Sequence, residues 1–172
     1  MQQIYFISDT HLGHKNIIKH CARPYGSVEE MDEHLIYRIN RTVGAGDALY
    51  HLGDFGWRGA DLASYRRRIW CRNVHLVRGN HDDRRAIRSA GFASINELLY
   101  LKINGQKLVL CHYPFASWKR NTIHLHGHCH GELAPKPYRL DVGVDALGIN
   151  GPLALDQIVE LRMQQPGIEA QA

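Results

Sequence analysis

Short runs of β-forming apolar residues, each cut off by a polar cluster, constrain this chain more than any other feature. "QIYFIS" ends in "DTHLGH", "ALYHLG" runs into Asp54, and "NVHLV" runs into "GNHDD". Runs of that length with no polar alternation are the pattern of strands buried in a sheet. Helical periodicity fills the intervals. In "SVEEMDEHLIYRINRTV", Ser27 followed by Glu30 forms a capping box. Val28, Met31, Leu35 and Ile39 recur there at three and four residues, which predicts an amphipathic helix stopped by "GAGD". "ADLASYRRRIW" predicts a second helix, and "RRAIRSA" a short third one ended by Gly91.

The second half reads mostly as strands. "LLYLKI" and "QKLVLCH" flank Asn104-Gly105, the signature of a type I′ hairpin. "TIHLHGHCH" reads as a strand entering a loop, "YRLDVGVD" as a strand, and "LALDQIVEL" as a short helix or strand. The whole, residues 1–172, is expected to be a single α/β domain with a hairpin-containing second sheet and a frayed tail from Gln164. The charged fraction of 22% and hydrophobic fraction of 44% exclude a disordered chain, and the net charge of +4 is too mild to indicate nucleic-acid binding by itself. Cys21, Cys71, Cys111 and Cys129 form no C-x-x-C pair, and no run has the length of a membrane span. A cytoplasmic location with reduced thiols and no membrane partner is expected.

Histidine, with 12 copies, is in excess, and much of it falls at strand ends. Asp9 and His11 follow the first strand, Asp54 the second, Asn80 and His81 the third. His112 ends the hairpin's return strand, and His128 and His130 follow the next. The carboxyl ends of strands form the ligand crevice of α/β sheets. Alternation along extended chain is expected to aim Asp9 with His11, and His128 with His130, at common points. Two carboxylates, an amide and several imidazoles exceed what one tetrahedral zinc needs, and suit two divalent ions.

"DTH", "GD" at 53–54, "GNHD", the His at 112 and "GHCH" resemble, in order, the motifs of the calcineurin-like metallophosphoesterases. The resemblance spans residues 9 to 130 and extends to small bacterial and phage members. It implies a four-layer β-sandwich of two mixed sheets flanked by helices. It implies that Asp9, His11, Asp54 and His130 hold one metal, and that Asp54, as a bridge, holds the second with Asn80, His112 and His128. It further implies that a bridging hydroxide attacks a phosphate mono- or diester while His81 assists the leaving group. Manganese is the first expectation for the two ions, with iron, zinc or nickel as others that the donor set accepts.

Around this set several readings stay open. Asp82 either orients an imidazole through its ring N–H or caps the following helix with Asp83. His51 is a candidate supporting residue, and His14 sits near a motif. Lys15, Asn16 and Arg23 are candidates to hold a substrate phosphate oxygen, Arg23 in bidentate fashion; the alternative is turn chemistry around Pro24 and Gly26. Tyr113 has the same two readings. Gly79 is expected to provide a turn that aims Asn80 and His81. Cys129 should point away from the metals. The arginines between Arg58 and Arg88 read as a solvated face or as a track for a polyanion. The substrate expected is a nucleotide-like or broad range of phosphate esters; the alternatives are a nuclease acting on DNA or RNA ends and a scaffold without chemistry.

Overall fold

The structure is a computed structural model that describes residues 2–163. The tail expected to fray from Gln164 lies outside the described residues. The first half runs β1 (Ile4–Ile7), α1 (Ile17–His20), α2 (Val28–Thr42), β2 (Ala48–His51), α3 (Leu62–Arg68), β3 (Asn73–Val77) and α4 (Arg84–Ser89). The second runs β4 (Ser94–Asn96), β5 (Leu99–Ile103), β6 (Gln106–Leu110), β7 (Ile123–His126), β8 (Arg139–Asp141), β9 (Leu153–Ala154) and α5 (Leu155–Met163).

The strands form two mixed sheets flanked by helices. One has the order β4-β3-β2-β1-β9, parallel except for β9. The other has the order β5-β6-β7-β8, parallel except for the β5–β6 hairpin. Successive residues of β1 serve opposite faces. Ile7 packs with Met31, Leu35 and Ile39 of α2, Leu62 of α3 and Ile87 of α4. Phe6 packs between the sheets with Leu108, Leu110, Ile123 and Leu125, where Leu155 and Ile158 of α5 also lie. Burial on both faces is why the first three strands carry continuous apolar runs.

Local signals hold where they are strong. The Ser27 side chain accepts from the Glu30 N–H at 3.1 Å, while the Glu30 carboxylate takes the N–H of Gly26 at 2.8 Å, one residue before the expected partner. Asn104 and Gly105 both have positive φ, 48° and 80°, as a type I′ turn requires. The last segment is both things at once: β9 pairs with β1 and α5 follows directly. The three-residue β4 was not anticipated. Arg66 lies inside the fold and donates to the carbonyls of Ile69, Cys71 and Arg72, so it is no part of a surface track.

The two sheets join at the end of β1. The Ser8 N–H donates to Val142 O at 2.9 Å and the Val144 N–H to Ser8 O at 3.0 Å, which extends β1 alongside the chain leaving β8. Gly127 and Gly143 make this crossing possible, since a Cβ on either would run into the Asp9 carboxylate.

Candidate metal centre

Asp9, His11, Asp54, Asn80, His81, His112, His128 and His130 all come just after the C-terminal ends of strands, and the fold gathers them at one edge. The way they converge differs from the alternation expected of extended chain. Asp9, His11, Asp54, His128 and His130 have φ of 59°, 51°, 52°, 72° and 49°. β1 and β7 stop at Ile7 and His126, and left-handed residues then bend each loop back on itself. This region is unfavourable for side chains other than glycine by about 1–2 kcal/mol per residue. Main-chain bonds hold it in place: Asp9 N–H to Gly53 O at 3.0 Å and His11 N–H to Asp54 O at 2.9 Å.

Asp54 is the hub. Its Oδ1 accepts the His81 N–H at 2.8 Å. Its Oδ2 lies 3.5 Å from His11 Nε2, 3.4 Å from His112 Nε2 and 4.0 Å from His81 Nε2. Leu52 O accepts from His112 Nδ1 at 2.9 Å, which leaves Nε2 facing the site. Asn80 Oδ1 stands 3.0 Å from both His112 Nε2 and His128 Nδ1. Burial opposes ionisation of Asp54, but His112, His11 and the His81 N–H together hold its carboxyl below the usual range. Burial likewise opposes charge on His112, yet the Asp54 and Asp9 carboxylates raise its pKa.

Several observations fit cations at this place. His11 Nε2 is buried without a hydrogen-bond partner. Burial pushes Asp9 up to about 7 against the opposing influence of His112 and His130, and its two oxygens accept the His128 N–H at 3.1 Å each. Ligand atoms of Asp9, His11 and His130 lie within 4.8 Å of one another, as do those of Asp9, Asp54 and His112. Lone pairs of carboxylate, amide and imidazole thus point at a shared space, an arrangement that divalent first-row ions satisfy.

Some expected roles change. Arg23 is only 4% exposed; both its terminal nitrogens and Nε are taken up by Asp145 and by the carbonyls of Asp9 and Thr10, so it does not meet a substrate phosphate. Asp82 neither orients an imidazole nor caps α4. Its carboxylate accepts the N–H groups of Asp54 (2.9 Å), Phe55 (2.9 Å) and Gly79 (2.8 Å), and the cap is Asp83. Gly79 is needed for close approach rather than for a turn: a Cβ would overlap Asp54 Oδ1 and the Asp54 backbone nitrogen. His51 is buried one layer back, its Nε2–H donating to Thr10 Oγ1 at 2.9 Å while that hydroxyl donates to Phe55 O.

His81 is partly exposed. It borders a cleft of about 690 Å³ with His11, His128 and His130, and α1 and the residue before it line one wall through Asn16, Ile17 and His20. Cys129 also borders this cleft, and it belongs to none of the groups among the described residues whose ligand atoms lie within 4.8 Å of one another. Lys15 is exposed and is not among the lining residues. Tyr113, 44% exposed, stands edge-on to His112 and His128. Trp57 and Asp145 were not foreseen, and the sequence places His14 only near a motif. His14 stacks on Trp57 with ring centroids 3.6 Å apart, and the pair walls the cleft beside His81. Asp145 faces His130 Nδ1 at 2.6 Å; its only sequence signal is an acid shortly after a strand in "DVGVD".

Two mixed sheets that gather carboxylates and imidazoles at the ends of parallel strands are the architecture of metallophosphoesterases. The chain belongs to the calcineurin-like phosphoesterase family, whose model matches residues 3–158. It is 35% identical over 172 residues to an uncharacterized protein of Methanocaldococcus jannaschii, covering 94% of this chain and 92% of that one. Its fold is similar to that of a protein of unknown function from Aquifex aeolicus, with a TM-score of 0.75, 24% identity and coverage of 94% of this chain and 100% of the other. It is also similar to a phosphoesterase from E. coli, with a TM-score of 0.52, 19% identity and coverage of 83% and 78%. No described helix is long and apolar enough to cross a membrane.

Proposed function

We propose that the protein hydrolyses phosphate mono- or diesters of nucleotide-like alcohols with the help of two divalent ions. The observation that carries this reading is Asp54 Oδ2, placed between His11 Nε2 at 3.5 Å and His112 Nε2 at 3.4 Å. Asp9, His11, Asp54 and His130 would hold one ion; Asp54, Asn80, His112 and His128 would hold the other. When bound, such ions neutralise phosphoryl charge and acidify water to near neutrality. His81 would give a proton to the departing alkoxide, a role supported by its ring at the edge of the cleft and its main-chain N–H donating to Asp54. The cleft's lining includes Trp57, Ile17 and Leu133 beside Asn16 and Glu132, with no lysine or arginine. That composition suits an uncharged, partly apolar ester group of nucleoside size.

Metal analysis joined to an ester screen tests this. The expected result is two ions per chain and turnover of bis-p-nitrophenyl phosphate with Mn²⁺, Fe²⁺, Zn²⁺ or Ni²⁺. A chain that binds no ion and turns over no ester is a scaffold, and the proposal fails. A nuclease is the second reading, favoured by the exposed Arg84, Arg85 and Arg88 on α4, directly after the "GNHDD" loop, and by exposed Arg58. It requires cleavage of DNA or RNA that falls steeply with salt while cleavage of a small chromogenic ester does not.

A further inference from the structure

Asp145 and Arg23 are buried together behind His130. Asp145 Oδ1 accepts from Arg23 Nε at 2.8 Å; Oδ2 accepts from Arg23 Nη2 at 2.8 Å and faces His130 Nδ1 at 2.6 Å. The Arg23 side chain has no exposed surface and that of Asp145 is 8% exposed. The guanidinium's other contacts are the carbonyls of Asp9, at 2.7 Å from Nη2, and Thr10, at 3.0 Å from Nη1, and Met31 Sδ, at 3.3 Å from Nη1. One cation therefore ties the loop carrying Asp9 and His11 to the carboxylate behind His130. An ionised carboxylate only accepts, so the proton between it and His130 is on Nδ1, and in the neutral imidazole Nε2 then carries the lone pair.

We propose that Asp145, clamped by Arg23, is the positioning residue for His130, holding it as the Nδ1–H tautomer in the orientation that one of the two ions requires. This rests on the metal reading above. Ligand atoms of Cys21, His130 and Asp145 also lie within 4.8 Å of one another. With Asp145 engaged by both Arg23 and His130, that group is a support for the centre rather than a third ion site. The consequence is selective: loss of Asp145 weakens the ion held with Asp9 and His11, not the ion held with Asn80 and His128.

Equilibrium dialysis with Mn²⁺ alone on the full chain, comparing wild type, Asp145→Ala, His130→Ala and the double variant, tests this. Asp145→Ala is expected to weaken one of two ions by about 10–100-fold. In the His130→Ala background the same change is expected to have little further effect, because Asp145 acts through that imidazole. Two wild-type affinities in Asp145→Ala, or an undiminished loss in the His130→Ala background, overturns the proposal. If circular dichroism shows Asp145→Ala unfolded, Asp145→Asn, which keeps the shape, is judged by the same criteria. A wild type that takes up no Mn²⁺ sinks the metal reading instead. The tautomer is then read by ¹⁵N–¹H correlation at alkaline pH: Nδ1–H in wild type and its loss in Asp145→Asn are expected, and an Nε2–H His130 in wild type overturns the proposal.

Discussion

The two oxygens of Asp54 have separate duties. Oδ1 fixes the His81 main chain at 2.8 Å, while Oδ2 faces the imidazoles of His11 and His112. Asp54→Asn replaces a shared anion with a neutral amide, so metal content is expected to fall from two ions per chain to none, as read by elemental mass spectrometry. A variant that retains both ions refutes the shared role. His81 touches no other proposed ligand by a hydrogen bond of its ring, which leaves it available for proton transfer. His81→Ala is expected to lower kcat/KM about 10²–10⁴-fold for alkyl phosphate esters and far less for p-nitrophenyl esters, whose leaving group needs no proton. Equal losses would count against that role. At this scale the residue types at strand ends were legible, because their chemistry is unusual and their order matches a known series. Arg23 and Asp82 were not. A charged side chain beside a motif has the same local sequence whether it faces a substrate or is buried against main-chain carbonyls and N–H groups.

Among the elements, it is the loops after β1, β2 and β3 that need the most support. Asp82 joins two of them by accepting three N–H groups, two from the β2 loop and one from the β3 loop. Asp82→Ala leaves those buried donors without an acceptor and is expected to lower stability by about 3 kcal/mol or more, measured by urea denaturation. An unchanged midpoint would show that water replaces the carboxylate. Burial raises the pKa of Asp82, and its three bonds to main-chain N–H groups oppose that rise. Helix α2 and the β5–β6 hairpin were readable from sequence since caps, periodicity and turn residues act within a few positions. The strand β4, three residues long, was not, and β9, two residues long, was legible only as helix or strand, because so short a segment has no period; it becomes a strand only when an existing sheet edge offers it partners.

Over the whole molecule, the histidines divide into those gathered at the centre and those that serve packing. His124 lies in β7 under Phe115, with ring centroids 4.6 Å apart, accepts the Phe115 N–H at Nε2 and donates from Nδ1 to Val109 O. Burial holds its pKa at about 4 against an ordinary 6.5. Below pH 6.5 the unfolded chain takes up a proton that folded His124 refuses, so its contribution is full above 6.5 and declines as pH falls toward 4. Between about pH 7.5 and about pH 5 the metal-free protein is expected to lose about 2 kcal/mol through this group. Asp9, raised to about 7, works in the opposite direction, so the group is isolated by comparison with His124→Gln, whose stability change from about pH 7.5 to about pH 5 should be about 2 kcal/mol more favourable than that of the wild type. Equal pH slopes in chemical denaturation would refute the assignment. From its sequence alone the chain declares an α/β fold, a hairpin, one long helix and the donor types that end its strands, because each is written in residues close together. The left-handed backbone at Asp9, His11, Asp54, His128 and His130 was decided by tertiary structure. So was the Arg23–Asp145 clamp across 122 positions. Strain and buried charge persist only where distant segments supply the bonds that offset them, and no local pattern records which segments will meet.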